Sequence, residues 1–177
     1  IDGTNIRVDV RQQQNPSDVS QWRDVMTFGG RTSKAQLPGD LIQNLHKMFD
    51  NADFAALRRD DDLVAITLFG EGYGPGIQKG GGKYREDKSF ILFDVLIDDK
   101  WWLDWADVQE VGERLGIPVV PTLGTYRLDE IVDMVRPGFQ TFLSVLGKDT
   151  SVLTAPAEGV VARTRQTLFD KRGHRLV

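Results

Sequence analysis

Phe90-Ile91-Leu92-Phe93-Asp94-Val95-Leu96-Ile97 is a nearly unbroken apolar run of strand length. Such a run predicts a strand covered on both faces. Its one acid, Asp94, needs partners if it is buried, and the backbone beside the strand is the simplest source of them. Asp98-Asp99-Lys100 reads as a turn, with Trp101 to Leu103 pairing back. Asp104 then caps a helix to Leu115, with Gly116 as its stop and Pro118 beyond.

The chain before this run offers more strands. Ile6-Arg7-Val8-Asp9-Val10 alternates apolar and polar, as a half-buried strand does. Gln12 to Ser20 is polar, Asn15-Pro16 marks a turn, and Trp22 to Phe28 returns as a second strand ending at Gly29-Gly30. Asp40 is placed to cap a helix to about Phe49, with Leu41, Leu45 and Met48 on one face. A second helical piece is predicted over Phe54 to Arg59, and a strand over Leu63 to Phe69. Gly70 to Gly82 is rich in glycine and predicts a loop over at least part of its length. Asp129 starts a helix through Met134, interrupted near Pro137 and resuming to Leu146. Val160-Val161 is assigned to a late strand and Thr167 to Val177 to one more. No internal repeat or dividing linker is present. Antiparallel strands with inserted helices define the class as α+β, in one domain of 177 residues.

Composition narrows the chemistry. The chain has no cysteine, which excludes disulfides, zinc–thiolate sites and cysteine nucleophiles. No apolar stretch approaches a membrane span. The formal charge of −4 lacks the basic bias common among nucleic-acid binders. Charge is uneven, however. Arg163, Arg165, Lys171, Arg172 and Arg175 lie within thirteen residues that hold one acid, Asp170. Two readings stand for that stretch: a surface facing phosphates, or a solvated hairpin.

Five short segments carry polar groups of the kinds that bind nucleotides. In chain order they are Asp2-Gly3-Thr4-Asn5, Gly30-Arg31-Thr32, Phe69-Gly70-Glu71, Phe93-Asp94 and Glu158-Gly159-Val160-Val161. The most specific stretch is Phe69-Gly70-Glu71-Gly72-Tyr73-Gly74-Pro75-Gly76-Ile77-Gln78-Lys79, followed after a short loop by Phe93-Asp94. Their order and spacing resemble the RNA ligase family of covalent nucleotidyltransferases, specifically the phage type that seals nicks in duplex RNA. The resemblance spans essentially the whole chain. It implies an α+β nucleotidyltransferase (ATP-grasp-like ligase adenylation) domain, with antiparallel sheets forming an AMP cleft.

The resemblance also implies a reaction. A lysine takes AMP from ATP as lysyl-AMP, AMP moves to an RNA 5′-phosphate, and a 3′-hydroxyl displaces it. Mg²⁺ or Mn²⁺ is the implied metal, RNA the implied polymer, and the cytoplasm of a bacterium or phage-infected host the implied setting. Ile1-Asp2-Gly3-Thr4-Asn5 resembles the tail of K-x-D-G-x-N, whose lysine would stand just before Ile1. The family's two last-motif lysines would follow a segment like Arg175-Leu176-Val177. Residues 1–177 are therefore expected to be an adenylation domain cut at both motif edges.

The same resemblance assigns roles. Ile1, beside the lysine, and Asn5 fall among the nucleotide-binding positions, Asn5 at the ribose or reacting phosphate. Arg31 is expected at the nucleotide and RNA 5′-phosphate, where a planar fork suits an anion. Glu71 is expected on the ribose hydroxyls and Phe93 on the adenine face. Glu158, in the E-G-x-V position, is expected to contact the nucleotide and organise the metal. Arg163 ends that motif. Glu71, Glu158 and Arg31 form the expected catalytic set. Without the family, Asn5 reads as a turn residue, Arg31 as simply exposed, and Glu71 and Glu158 as surface acids. Phe93 within such an apolar run would ordinarily be core.

Other motifs fail. Gly82-Lys83 is followed by Tyr84 where a phosphate loop needs Ser or Thr, and Ile77 stands where its first glycine belongs. Gly70, Gly72 and Gly74 do not clearly open a helix, against a dinucleotide fold. His46 and His174 lack metal-ligand spacing. Trp101, Trp102 and Trp105 suit anchoring of a hairpin and helix, with base stacking as the alternative. The rival functions are a DNA ligase, a capping-type enzyme, or a non-catalytic nucleotide- or nucleic-acid-binding module.

Overall fold

A computed structural model describes residues 3–32, 35–58, 64–79, 81–138, 140–142, 154–156, 159–172 and 175. Its centre is a five-stranded antiparallel sheet in the order β2-β1-β3-β4-β5. The strands are β1 (Thr4–Asn15), β2 (Asp18–Gly29), β3 (Ala65–Tyr73), β4 (Ser89–Ile97) and β5 (Trp101–Trp102). Two helices, α1 (Gly39–Phe49) and α2 (Trp105–Leu115), cover one face. A third helix, α3 (Leu128–Val135), and a separate pair, β6 (Gln140–Phe142) with β7 (Thr154–Pro156), follow.

The covered face is built from alternating apolar residues. Ile6, Val8 and Val10 of β1, Ile66 and Leu68 of β3, and Phe90, Leu92 and Val95 of β4 share one buried cluster. Helix α1 adds Leu41, Leu45 and Phe49, a spacing of four that makes one stripe. Phe49 meets Phe90 edge-on, with ring centres 5.5 Å apart. Helix α2 adds Val108, Val111 and Leu115. Truncating such a residue, as in Leu45→Ala, typically costs about 2–5 kcal/mol because the cavity collapses only in part.

Helix α2 has the predicted limits. Asp104 accepts a hydrogen bond from the Asp107 amide at 3.1 Å. Gly116 ends the helix in the left-handed region at φ 65°. The turn at Asp98 and Asp99 also forms, with φ of 48° and 57°. There the Lys100 amide donates to the Ile97 carbonyl at 3.0 Å, as in the tight turns that suit a hairpin's twist.

Several expectations change. Asp40 does not cap α1; Pro38 holds the N-cap position and Asp40 sits in the first turn, paired with Lys88. Residues 55–57 form a single 3₁₀ turn instead of a longer helical piece. Strands β1 and β2 are each twelve residues long, extending the apolar pattern far into polar sequence. Strand β3 runs through Gly70-Glu71-Gly72-Tyr73, so the expected loop occupies only the later part of the glycine-rich stretch, from Gly74. A Cβ at Gly70 would lie 2.3 Å from the Phe90 ring, so this glycine serves close packing within the sheet. After α3, Gly138 at φ 77° breaks the chain direction, and residues 140–142 are strand where helix was expected. Val160 and Val161 lie outside any strand, and Val161 is 78% exposed. The stretch from Thr167 reduces, among the described residues, to one bridge between Phe169 and Arg175. Both departures have one cause: side chains fasten this segment to the sheet.

Candidate nucleotide cleft on the open face of the sheet

Register dictates what faces away from the helices. Asn5 pairs with Glu71, and Glu71 with Ile91; Arg7 pairs with Phe69, and Phe69 with Asp94; Asp9 pairs with Thr67, and Thr67 with Leu96. Because successive strand side chains alternate, these rows lie on one face and the core residues on the other.

Strand β4 carries a bulge. Phe69 pairs with Asp94, while the next residue, Gly70, pairs with Leu92, leaving Phe93 as the extra residue. Phe90 and Leu92 point to the core before the bulge, and Val95 points there after it. Phe93 and Asp94 therefore both leave the core face. Phe93 is half-buried, unlike the buried Phe90, and the ordinary core role does not apply to it. The predicted cover on both faces of β4 is accordingly incomplete: Phe93, Leu96 and Ile97 retain partial exposure.

Asn5 and Glu71 meet at the end of this face, with Asn5 Nδ2 donating to Glu71 Oε2 at 3.4 Å. Gly3 is pressed against the same strand. A Cβ there would lie 2.4 Å from the Gly72 carbonyl oxygen and 2.7 Å from Glu71 Cγ. The glycine-rich loop after β3 folds over this end. Gln78 Nε2 donates to the Gly3 carbonyl at 3.1 Å, tying the Gly74–Lys79 block to the first motif. Tyr73, Tyr84 and Ile91 form a small buried cluster beneath the loop. Burial pushes the Tyr73 phenol above its usual pKa.

Arg31 leaves the sheet just after β2 and is exposed. Its neighbour Gly30 lies beside the Asn5 carbonyl, at 3.7 Å for an ideal Cβ, which puts Arg31 at the rim near Asn5. Asn5, Glu71, Phe93 and Arg31 are thus brought to one region by β1, β2, β3 and β4. Ile1 and Glu158 lie outside the described residues. Further along the open face, Arg7, Asp9, Arg11, Thr67 and Phe69 line part of a depression of ≈ 380 Å³. Its charges are internally matched: Arg7 Nε pairs with Asp9 at 2.7 Å, and Arg11 holds Asp99 through two bonds of 2.9 and 2.8 Å.

Asp94 finds partners that sequence reasoning did not anticipate. Its carboxylate is buried, at 2% exposure. Arg175 grips it with both terminal nitrogens, Nη1 at 2.9 Å and Nη2 on the other oxygen. Arg163 Nη2 lies 3.1 Å from Oδ2 and also donates to the Phe93 carbonyl at 3.0 Å. The Arg175 guanidinium stacks over Trp102 at 4.2 Å, and Arg163 lies 6.0 Å from the centre of the Trp105 ring. Loss of hydration lowers the pKa of both guanidiniums; arginine nevertheless stays charged at neutral pH. Trp102 also contacts Phe69, at 5.2 Å, whereas Trp101 is 68% exposed. Of the basic stretch, then, two arginines turn inward on Asp94, while Arg165, Lys171 and Arg172 remain exposed.

Among the described residues, no group of three or more His, Asp or Glu side chains is arranged to hold a metal ion. No helix there is long and apolar enough to cross a membrane.

The antiparallel sheet is thus covered by helices on one side and carries polar and aromatic side chains on the other. The chain belongs to the RNA ligase family: that family's model, described as RNA ligase, matches residues 1–177. Family membership indicates a ligase acting on RNA. No curated protein matches the chain.

Proposed function

We propose that the chain is the adenylating domain of an ATP-dependent RNA ligase of the nick-sealing type. The observation that carries this reading is the register that sets Asn5 against Glu71, 3.4 Å apart, on the face that also presents the half-buried ring of Phe93. A flat base stacks on an exposed aromatic face. A neighbouring carboxylate accepts from ribose hydroxyls. An arginine at the rim suits a phosphate.

In this reading Phe93 receives adenine, Glu71 and Asn5 fix the ribose, and Arg31 reaches the phosphates. The nucleophile is a lysine at the position preceding Ile1. Its amine attacks the α-phosphorus of ATP, forms a P–N bond and releases pyrophosphate. An RNA 5′-phosphate then takes AMP from the lysine, and a 3′-hydroxyl displaces AMP to form the phosphodiester. Close packing of Gly3 against β3, with Gln78 on its carbonyl, fixes the start of β1, just after the position of this lysine. A divalent Mg²⁺ or Mn²⁺ would neutralise phosphate charge, with Glu158 as the residue assigned to organise it.

Sealing of labelled nicked duplexes tests the proposal, with RNA or DNA placed on the 3′-hydroxyl side. RNA on that side is expected to be preferred. Arg31→Ala, Glu71→Ala and Glu158→Ala should each lower sealing by at least about a hundredfold, with the fold retained. Wild-type rates in all three variants would remove the site assignment. Preference for DNA on the 3′-hydroxyl side would remove the RNA-sealing assignment.

A further inference from the structure

On the β4–β5 side of the open face, Arg163 and Arg175 from the late segment meet at one carboxylate, Asp94. Among the described residues of this segment, several apolar side chains stay out in solvent. Val161, Leu168 and Phe169 are 78%, 46% and 50% exposed, and its described backbone forms one bridge. Its firm attachments are Arg163 and Arg175, which converge on Asp94 from 69 and 81 residues away in sequence. The Arg175 side chain is 11% exposed and the Asp94 side chain 3%. Two guanidiniums on one carboxylate leave a positive charge in excess beside Phe93.

We propose that Asp94 is a positioning residue: it clamps residues 159–172 and Arg175 against the β4 bulge and thereby fixes both Phe93 and one wall of the nucleotide cleft. The bulge places the carboxylate beside Phe93 and not beneath it. Arg163 bonds the Phe93 backbone carbonyl with a nitrogen that also reaches Asp94, so one atom ties the clamp to the backbone that carries the ring. Trp102 completes the device by supporting the Arg175 guanidinium from one face. Asp94 itself touches no nucleotide in this scheme. The second Asp94–arginine contact also explains why Arg163 is not free to act as a surface phosphate contact.

The effect on catalysis rests on the adenylation reading; the clamp itself does not. Two measurements on the intact protein separate them. The first is limited trypsin digestion followed by mass spectrometry, together with amide exchange. Asp94→Asn should speed cleavage after Arg165, Lys171 and Arg172 by about tenfold or more, because the segment now opens locally, while amides of β1, β3 and β4 keep their protection. The second is steady-state adenylyl transfer. Asp94→Asn should raise KM for ATP by about tenfold and leave kcat within about threefold, as expected when binding geometry is lost without the chemistry. A purely structural loss would lower kcat through fewer folded molecules at unchanged KM. If Asp94→Asn does not fold, Arg175→Gln carries both measurements, since it removes the two-bond grip and leaves Arg163. Unchanged cleavage in the 164–172 region, or a fall in kcat at constant KM, would overturn the clamp. A wild-type protein without adenylyl transfer would defeat the functional reading and leave the digestion to decide the clamp.

Discussion

Phe93 and Phe90 stand three positions apart on β4 and do opposite things. Phe90 is fully buried and meets Phe49; Phe93 is turned out by the bulge and half-buried. The apolar run alone made both look like core. The difference arises from one unpaired residue, and nothing in the local sequence of β4 marks it. It does have a consequence for substitution. Phe93→Ala should raise KM for ATP by about fivefold to a hundredfold, the range of about 1–3 kcal/mol for a lost stack. Its thermal midpoint should fall much less than that of Phe90→Ala, where a buried ring typically contributes about 3–5 kcal/mol. Steady-state kinetics and a melting curve on the two variants check this. A large melting shift for Phe93→Ala with unchanged KM would return the residue to the core. Gly3 was legible as part of a motif, but its reason was not: the space it spares is occupied by β3, sixty-nine residues away.

Helix α2 shows how far local signals reach. Asp104, Gly116 and Pro118 are read by their immediate neighbours, and the structure has the helix the sequence predicts. Asp104→Ala should cost about 1 kcal/mol, the usual loss for an N-cap whose side chain accepts from the third amide, here Asp107 at 3.1 Å. Urea denaturation of the variant measures it; no change would mean that another group satisfies the amide. Asp40 carries the same signal but lies inside the first turn, after Pro38 at the N-cap; its carboxylate accepts the Leu41 amide at 2.9 Å and pairs with Lys88. Strands β1 and β2 outran their prediction because Gln12, Gln13 and Gln14 have no apolar period, and pairing with β2 extends them anyway. The late segment failed in the other direction. Val160-Val161 has strand composition, yet Arg163 and Arg175 fasten it by side chains instead. Contacts between residues 69 and 81 positions apart leave no mark in a window of ten.

At the scale of the molecule, three acids are held in ion pairs: Arg11–Asp99 joins β1 to the β4–β5 turn, Lys88–Asp40 joins the start of β4 to α1, and Arg85–Asp87 is local to the loop before β4. A hydrogen bond from Arg11 holds the Asp99 carboxyl below its usual pKa; Arg85 does the same for Asp87, and Lys88 for Asp40. Each folded value lies below the unfolded one. Their stabilisation is therefore present in full above the ordinary carboxylate value of about 4 and is lost as pH falls through the lower folded values. The urea midpoint should be flat from about pH 7 to pH 5 and decline below about pH 4. Asp99→Asn should shallow that decline. A midpoint that rises on acidification would contradict the pairing. The overall class, an antiparallel sheet with helices inserted, followed from strand patterns spread along the whole chain and survived local errors. The ordered motifs named Asn5, Arg31, Glu71 and Phe93 before any contact between their strands was known. The partners of Asp94, Arg163 and Arg175, were not legible, since a single acid in an apolar run says only that partners must exist.

The central claim is a covalent transfer of AMP, and intact mass reads it directly. The protein, with its native residue before Ile1 present, is incubated with ATP and Mg²⁺ and weighed, then weighed again after nicked duplex RNA is added. The account predicts a gain of one AMP on the lysine at that position, mapped by peptide analysis, and its loss when RNA is supplied. A folded protein that has this lysine and gains no AMP would contradict it.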